Sequence, residues 1–250
     1  MEMTIVLNQR RREATVSGIG GTDIQGEALL KDALLSIMQP KTITAGEILY
    51  YEGDDVEAIY YVKSGRIKMT KMSEDGKQII LSFMHAGDLL GEFGGVDGEA
   101  YGQGAEVVES GVVGVIMMND LEKLLSENGN IALEFIRWMG TMQRITQLKL
   151  RDLLMNGKAG ALASMLVRAS NSYGKATPEG ILIMKKLNHA DLAEMIGATR
   201  ENVTKTLSGW KDQGIIEVTQ GKILIRELKE LHEICGCPSN HACSSKICRL

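Results

Sequence analysis

The sequence predicts an α+β fold: a strand-rich roll of the jelly-roll kind, then a long helix, then a small helical domain closed by a β-hairpin. Three observations predict it. From Thr42 to about Met117, apolar residues alternate in short runs punctuated by glycine, the pattern of antiparallel strands. From about Ile131 to Met155 the apolar spacing turns helical. Between Leu187 and Ile225, two short helical patterns joined by a glycine precede two strands that meet at Gln220-Gly221.

Residues 1–26 read as a flexible leader. In "MEMTIVLNQRRREATVSG" acidic residues and arginines flank a short apolar patch, which does not fit a secretory signal. "EALLKDALLSIMQP" at 27–40 has helical spacing and stops at Pro40. The strands are carried by "EILYYEG", "AIYYVKSGRIKMTKM", "GKQIILSFMHAGDLLGEFG" and "GVVGVIMM", with Ser64-Gly65 and Asp75-Gly76 as hairpin turns. A compact antiparallel barrel over 27–130 follows, with a generic β-sandwich as the alternative. Asn119 or Asp120 can cap the short helix "LEKLLSE", which "NGN" at 128–130 interrupts.

The helix over 131–156 carries two stripes. One is Phe135, Met139, Met142, Thr146, Lys149 and Leu153; the other is Trp138, Ile145, Leu148, Asp152 and Met155. Two largely apolar faces suggest burial on both sides, one against the barrel and one against a partner helix. A homodimer is expected, with Phe135, Trp138, Met139, Met142 and Ile145 as its contacts.

With 250 residues the chain can form two modest domains, and its net charge of −4 makes it no general polyanion binder. Any nucleic-acid contact must use a local face. The longest apolar run, Gly111–Met118, is far short of the ~20 residues that span a bilayer. A cytoplasmic location is expected, without membrane contact, and there thiols stay reduced. All four cysteines, Cys235, Cys237, Cys243 and Cys248, crowd into the tail over 231–250. Clustered thiols in a reducing compartment point to metal or redox chemistry.

The 157–230 segment is the most specific. Asn188 can cap a first helix, "HADLAEMI", which ends at Gly197. Thr199 caps a second helix from Arg200 to about Gln213. Strands at 215–219 and 222–226 complete a winged helix-turn-helix. Its second helix offers Arg200, Asn202, Thr204, Lys205 and Ser208, a polar and basic set suited to phosphate and base-edge contact.

"DLAEMIGATRENVTKTL" resembles the recognition motif of the CRP/FNR family of bacterial transcription regulators. The order of barrel, long helix and winged helix is that family's, so the resemblance covers roughly 27–230. "GDLLGE" and the glycines Gly46, Gly53, Gly65, Gly87 and Gly91 fit its cyclic-nucleotide-type β-roll. The resemblance implies double-stranded DNA as partner, a palindrome of the TGTGA–N6–TCACA type, and RNA polymerase as a further partner. It assigns Arg200 to guanine and Glu201 to cytosine. Where the family usually has arginine, Lys205 keeps the charge and loses the bidentate fork.

Three effectors are usual in that family. Cyclic AMP is not expected, because Gly91 through Glu122 contain no Lys, Arg or His to neutralise a phosphate. Haem is poorly served by the barrel's lone His85. The tail remains, and "CSSKICRL" resembles the C-terminal ligands of the Bacillus type of FNR, whose fourth ligand is an aspartate of the long helix. The resemblance implies a [4Fe–4S] cluster held by Cys243, Cys248, Asp152 and one of Cys237 or Cys235, with Cys237 favoured. Zinc (Zn2+) and a bare thiol redox switch are the competing readings, as is a constitutive DNA-binding dimer with no sensor. No Ser–His–Asp or His/Glu metal set supports an enzyme.

Overall fold

The computed structural model describes residues 24–76, 78–93, 100–237, 243–244 and 247–250. Most of the expected leader lies outside the described residues. Helix α1 (Ile24–Ile37) ends before Pro40, and Pro40 itself sits in strand β1 (Gln39–Ile43). The expectation that the helix runs up to the proline is corrected for a steric reason: the residue before a proline is driven to extended backbone, so Gln39 already belongs to the strand.

Strands β2 (Ile48–Tyr50), β3 (Ala58–Met72), β4 (Gln78–Met84), β5 (Leu89–Leu90) and β6 (Gly104–Met117) complete the roll. The antiparallel order is β1-β6-β3-β4, with β2 also on β6 and β5 on β3. Its spine is the long β3–β6 ladder from Ala58↔Met117 to Thr70↔Gly104. Ser64-Gly65 is a bulge inside β3, not the expected turn: the register shifts there, and Gly65 has φ 89°. A Cβ at Gly65 would lie 2.5 Å from the Glu109 carbonyl oxygen, so the two backbones meet where only glycine fits. Asp75-Gly76 does turn β3 into β4, with Gly76 at φ 78°. The roll interior is filled by its own side chains, among them Tyr50 stacked on Tyr101 at 3.7 Å between ring centroids.

Helix α2 (Met118–Glu127) starts at Met118 without a side-chain cap, so neither Asn119 nor Asp120 plays the expected capping role. Asn128 breaks the chain with φ −133° and ψ 85°, and its Nδ2 donates to the Leu124 carbonyl. Helix α3 (Gly129–Tyr173) then runs for 45 residues, interrupted by non-helical backbone at Gly157 (φ 59°, ψ −168°). Its two parts differ. The stretch before Gly157 buries one stripe, Phe135, Ile145 and Asp152, with Trp138 and Met142 half-buried beside it. The stretch after it is buried without a break from Gly160 to Ser170 and forms the centre of the C-terminal domain.

The inward stripe draws on both stripes read from the sequence. Phe135 and Ile145, expected at a partner helix, are buried within the protomer, and Met139 is exposed. A different row, Leu133, Ile136, Leu150 and Leu154, faces outward, with Leu154 75% exposed. A seven-residue spacing carries both rows (135, 138, 142, 145 and 152; 133, 136, 150 and 154), which a helix sustains on two faces.

After α3 come strands β7 (Gly174–Thr177) and β8 (Gly180–Ile183), helices α4 (His189–Met195) and α5 (Arg200–Asp212), strands β9 (Ile216–Thr219) and β10 (Lys222–Ile225), and helix α6 (Leu228–Ile234). The small sheet has the order β7-β8-β10-β9. The roll and this domain share one core, in which Ile80 and Phe83 of β4 join Leu166, Leu192, Met195 and Trp210. Among the described residues no helix is long and apolar enough to cross a membrane.

Candidate DNA-binding face and tail cysteine site

Helix α5 divides cleanly by its 3.6-residue period. Val203, Leu207 and Trp210 are buried in the domain core. Arg200, Glu201, Asn202, Thr204, Lys205 and Ser208 are all exposed, together with Thr199. The helix starts where the sequence says: Thr199 has extended backbone, and its Oγ1 accepts from Asn202 N at 3.2 Å. Asn188 caps α4 in the same way, accepting from Ala190 N at 2.9 Å, and Gly197 (φ 58°) makes the left-handed turn between the helices. The Glu201 carboxyl lies below its ordinary pKa through its own backbone N–H and the Thr199 hydroxyl, so it stays an acceptor.

One residue of this face was not anticipated. His189, at the start of α4, has Nδ1 2.9 Å from Thr204 Oγ1, while Thr204 donates to the Arg200 carbonyl. The histidine fixes the hydroxyl that the recognition helix shows to solvent. The wing turns at Gln220-Gly221, both with positive φ (53° and 75°), the conformation of a two-residue hairpin.

The second candidate site gathers residues far apart in sequence. Asp152 is 1% exposed and both its oxygens are engaged. Oδ1 accepts from Arg151 Nε and Nη2 at 3.1 and 2.6 Å. Oδ2 accepts from the Ser164 hydroxyl and, at 3.1 Å, from Arg168 Nη2. Arg168 Nη1 continues to the Ile247 carbonyl at 3.4 Å, next to Cys248. The tail is therefore fastened to α3 at several points. Asn156 Nδ2 donates to the Cys235 carbonyl at 2.9 Å, and Asn171 Nδ2 to that of Cys248 at 2.8 Å.

The thiols differ. Cys235 is fully buried, its thiol donates to the His232 carbonyl at 3.5 Å, and the neighbouring Cys237 sulfur together with burial pushes its pKa up. Cys237 is half-buried, and the Cys235 thiol beside it, with the Arg151 guanidinium, lowers its pKa to about 6. Cys248 is pushed up by burial, and feels the charges of Arg168, Cys243 and Cys237. Cys243 is exposed. Among the described residues no three His, Cys, Asp or Glu groups close round a single metal ion. Asp152 acts on Cys235 and Cys237, and Cys248 feels Cys243 and Cys237, so the thiols and Asp152 share a neighbourhood.

The last two residues reach the roll. Arg249 Nη1 pairs with the buried Asp88 Oδ1 at 2.7 Å, and Leu250 is buried with its N–H donating to Ser172 Oγ at 3.1 Å. Alongside, Tyr173 OH meets His85 Nε2, and Lys185 pairs with Glu109 at 2.9 Å. Nothing local in the sequence announces these pairs.

Two family models match the chain, the cyclic nucleotide-binding domain over residues 40–128 and the Crp-like helix-turn-helix domain over 160–234. The anaerobic regulatory protein of Bacillus subtilis is 38% identical over 223 residues, 88% of this chain and 92% of that one. The CRP-like cAMP-activated global transcriptional regulator of Mycobacterium tuberculosis is 25% identical over 80% of this chain and 89% of its own length. Among solved structures, FixK2 of Bradyrhizobium japonicum covers 81% of this chain and all of its own at 20% identity and a TM-score of 0.70, a likeness of fold. The roll and the helix-turn-helix domain thus have their counterparts, and the chain belongs to the Crp/FNR family of DNA-binding transcription regulators, not to an enzyme family.

Proposed function

We propose that this regulator is a cytoplasmic homodimer that binds a TGTGA–N6–TCACA-type palindrome and controls anaerobic gene expression, together with RNA polymerase, through an oxygen-labile [4Fe–4S] cluster in its tail. The observation that supports this reading is that side chains of the long helix hold the tail, through hydrogen bonds to the Cys235, Ile247 and Cys248 carbonyls between residues 77 to 79 apart in sequence, so that Cys237 and Cys248 lie near Asp152 and Cys243. The similarity to an anaerobic regulatory protein points the same way.

The donor set fits the cluster. Thiolates are the ligands that iron–sulfur clusters require, and a carboxylate can take the fourth corner. Zinc is the competing ion for the same thiols, and metal and sulfide analysis separates the two. When bound, the cluster supplies an oxygen-sensitive tie among the four side chains. In the cluster-free protein Arg151 and Arg168 offset the negative charge of the buried Asp152 carboxylate. Cys237 lies near Asp152 and Arg151 with its pKa lowered, while the Cys235 thiol is fully buried with its pKa raised, which favours Cys237 as the ligand.

Cyclic AMP has no place in this reading. Glu92 is occupied by Gly102 N at 2.9 Å, and the stacked tyrosines fill the roll. The 94–99 segment, with Asp97 and Glu99, lies outside the described residues. The outward row of Leu133, Ile136, Leu150 and Leu154 is suited to a partner helix, with Met139 at its margin. Two recognition helices held by such a pairing would address half-sites one helical turn (~34 Å) apart.

The test is chemical analysis of protein purified without air. Iron and acid-labile sulfide in equal amounts, with visible absorbance that air bleaches, are expected. Zinc without sulfide, or no metal at all, contradicts the proposal.

A further inference from the structure

The two arginines at Asp152 hold different oxygens and sit in different surroundings. Arg168 has a side chain only 3% exposed, and its guanidinium joins Asp152 Oδ2, Ser164 Oγ (3.3 Å) and the Ile247 carbonyl. Arg151 is 32% exposed, takes Oδ1 through two N–H groups, and its charge acts on the neighbouring Cys237. It therefore covers one oxygen of the proposed ligand Asp152, as a cation close to a second, Cys237.

We propose that Arg151 is a removable stand-in for the metal cluster, which closes the site when the cluster is absent, and that Arg168 is the fixed residue that positions Asp152 and the Cys248 segment to receive it. This rests on the cluster reading given above. The asymmetry follows from exposure. A guanidinium with a third of its side chain in water can swing out and be rehydrated, so releasing Oδ1 costs little. Arg168 has no such exit, because withdrawing it would leave a buried charge unpaired. Oδ1 is then the oxygen offered to metal, while Oδ2 keeps Ser164 and Arg168 and so keeps its orientation. Arg168 also spans from α3 to the carbonyl beside Cys248, which places two ligands on one rigid support.

The two arginines, though both pair with the same carboxylate, should have opposite effects on assembly. A purely structural role would move both in one direction. The experiment is anaerobic reconstitution of the cluster-free protein with ferrous iron, sulfide and a thiol reductant, read by the rise of visible absorbance and by bound iron. Thermal unfolding of each cluster-free variant serves as the folding control. Arg151→Gln is expected to assemble faster than wild type, by about tenfold if one charge-assisted hydrogen bond is what must open. Arg168→Gln is expected to assemble more slowly and retain less iron. If Arg168→Gln does not fold, Arg168→Lys carries that arm, since it keeps the charge and loses the three-way fork. Arg151→Gln assembling no faster than wild type, or a folded Arg168 variant that matches wild type in rate and iron, overturns the assignment and leaves the cluster reading standing. Failure of the wild type itself to take up iron and sulfide overturns both.

Discussion

The recognition helix and the tail site are built on opposite principles. Every side chain that the sequence assigns to the DNA-facing set lies within ten residues, from Thr199 to Ser208, on one helix and its cap, with only His189 added from the helix before it. Asp152, Ser164, Arg168, Cys237 and Ile247 come from three separate stretches of chain and meet only in the folded protein. The first site is exposed and contributes little to stability. The second is buried, charged and tied into the core. A surface that reads another molecule can be changed without disturbing the fold, whereas a buried site that senses must be part of what holds the fold together.

The largest expected effect breaks the buried site. Asp152→Ala leaves Arg168 without its carboxylate, and loss of one partner of a buried pair costs about 3–5 kcal/mol. Urea unfolding of the cluster-free protein measures it; a loss under 1 kcal/mol would show that the pair is not structurally important. Arg200→Ala makes the opposite case. It should weaken binding to the TGTGA-type palindrome by roughly 1–3 kcal/mol and leave unfolding within ~0.5 kcal/mol of wild type. Titration at fixed salt on the palindrome and on a scrambled duplex separates base reading from phosphate attraction.

A third prediction concerns the contact between roll and C-terminal domain. Burial lowers the pKa of His85 to about 4, below the ~6.5 of an unfolded chain. Asp88 favours its charged form; Lys185, Arg66 and Arg249 oppose it, and Nε2 lies against the Tyr173 hydroxyl. Between those two pH values the unfolded chain binds the extra proton. The stabilisation is therefore complete above about pH 6.5 and is lost as pH falls toward 4. Going from pH 7 to pH 5 should remove about 2 kcal/mol of it. His85→Gln should flatten that slope; an unchanged slope would place the pH dependence elsewhere. The smallest effect is at the recognition helix cap: Thr199→Ala should cost about 1 kcal/mol of stability, visible as a small drop in thermal midpoint.

The same contrast explains how much could be read from the sequence. Asn188, Gly197, Thr199 and the Gln220-Gly221 turn are local signals, each needing only its neighbours, and the structure places all of them as expected. The helix beyond Gly157 was missed because "KAGALASMLVRAS" is small and apolar on all sides, so no amphipathic period marks it. Ser64-Gly65 reads as a turn in the sequence because a turn and a bulge both call for glycine at a positive-φ position, and only the β3–β6 register separates them. The spacing along α3 shows two apolar faces, but which one meets the roll depends on where α1 and strands β3, β5 and β6 lie, and Phe135 and Ile145 fall inside the protomer. Asp152 could be singled out by resemblance alone. Its partners Arg151, Ser164 and Arg168, and the Arg249–Asp88 pair, arise from packing and leave no trace in spacing.

The claim that joins the two sites is that the tail cysteines set the affinity of the recognition helices. It is tested most directly by the DNA affinity of wild type and Cys248→Ser, both purified without air and both assayed for iron. The account predicts that Cys248→Ser loses the visible absorbance, the iron and high-affinity binding together, while Cys235→Ser stays close to wild type. A Cys248→Ser protein with full iron and undiminished binding to the palindrome would contradict it.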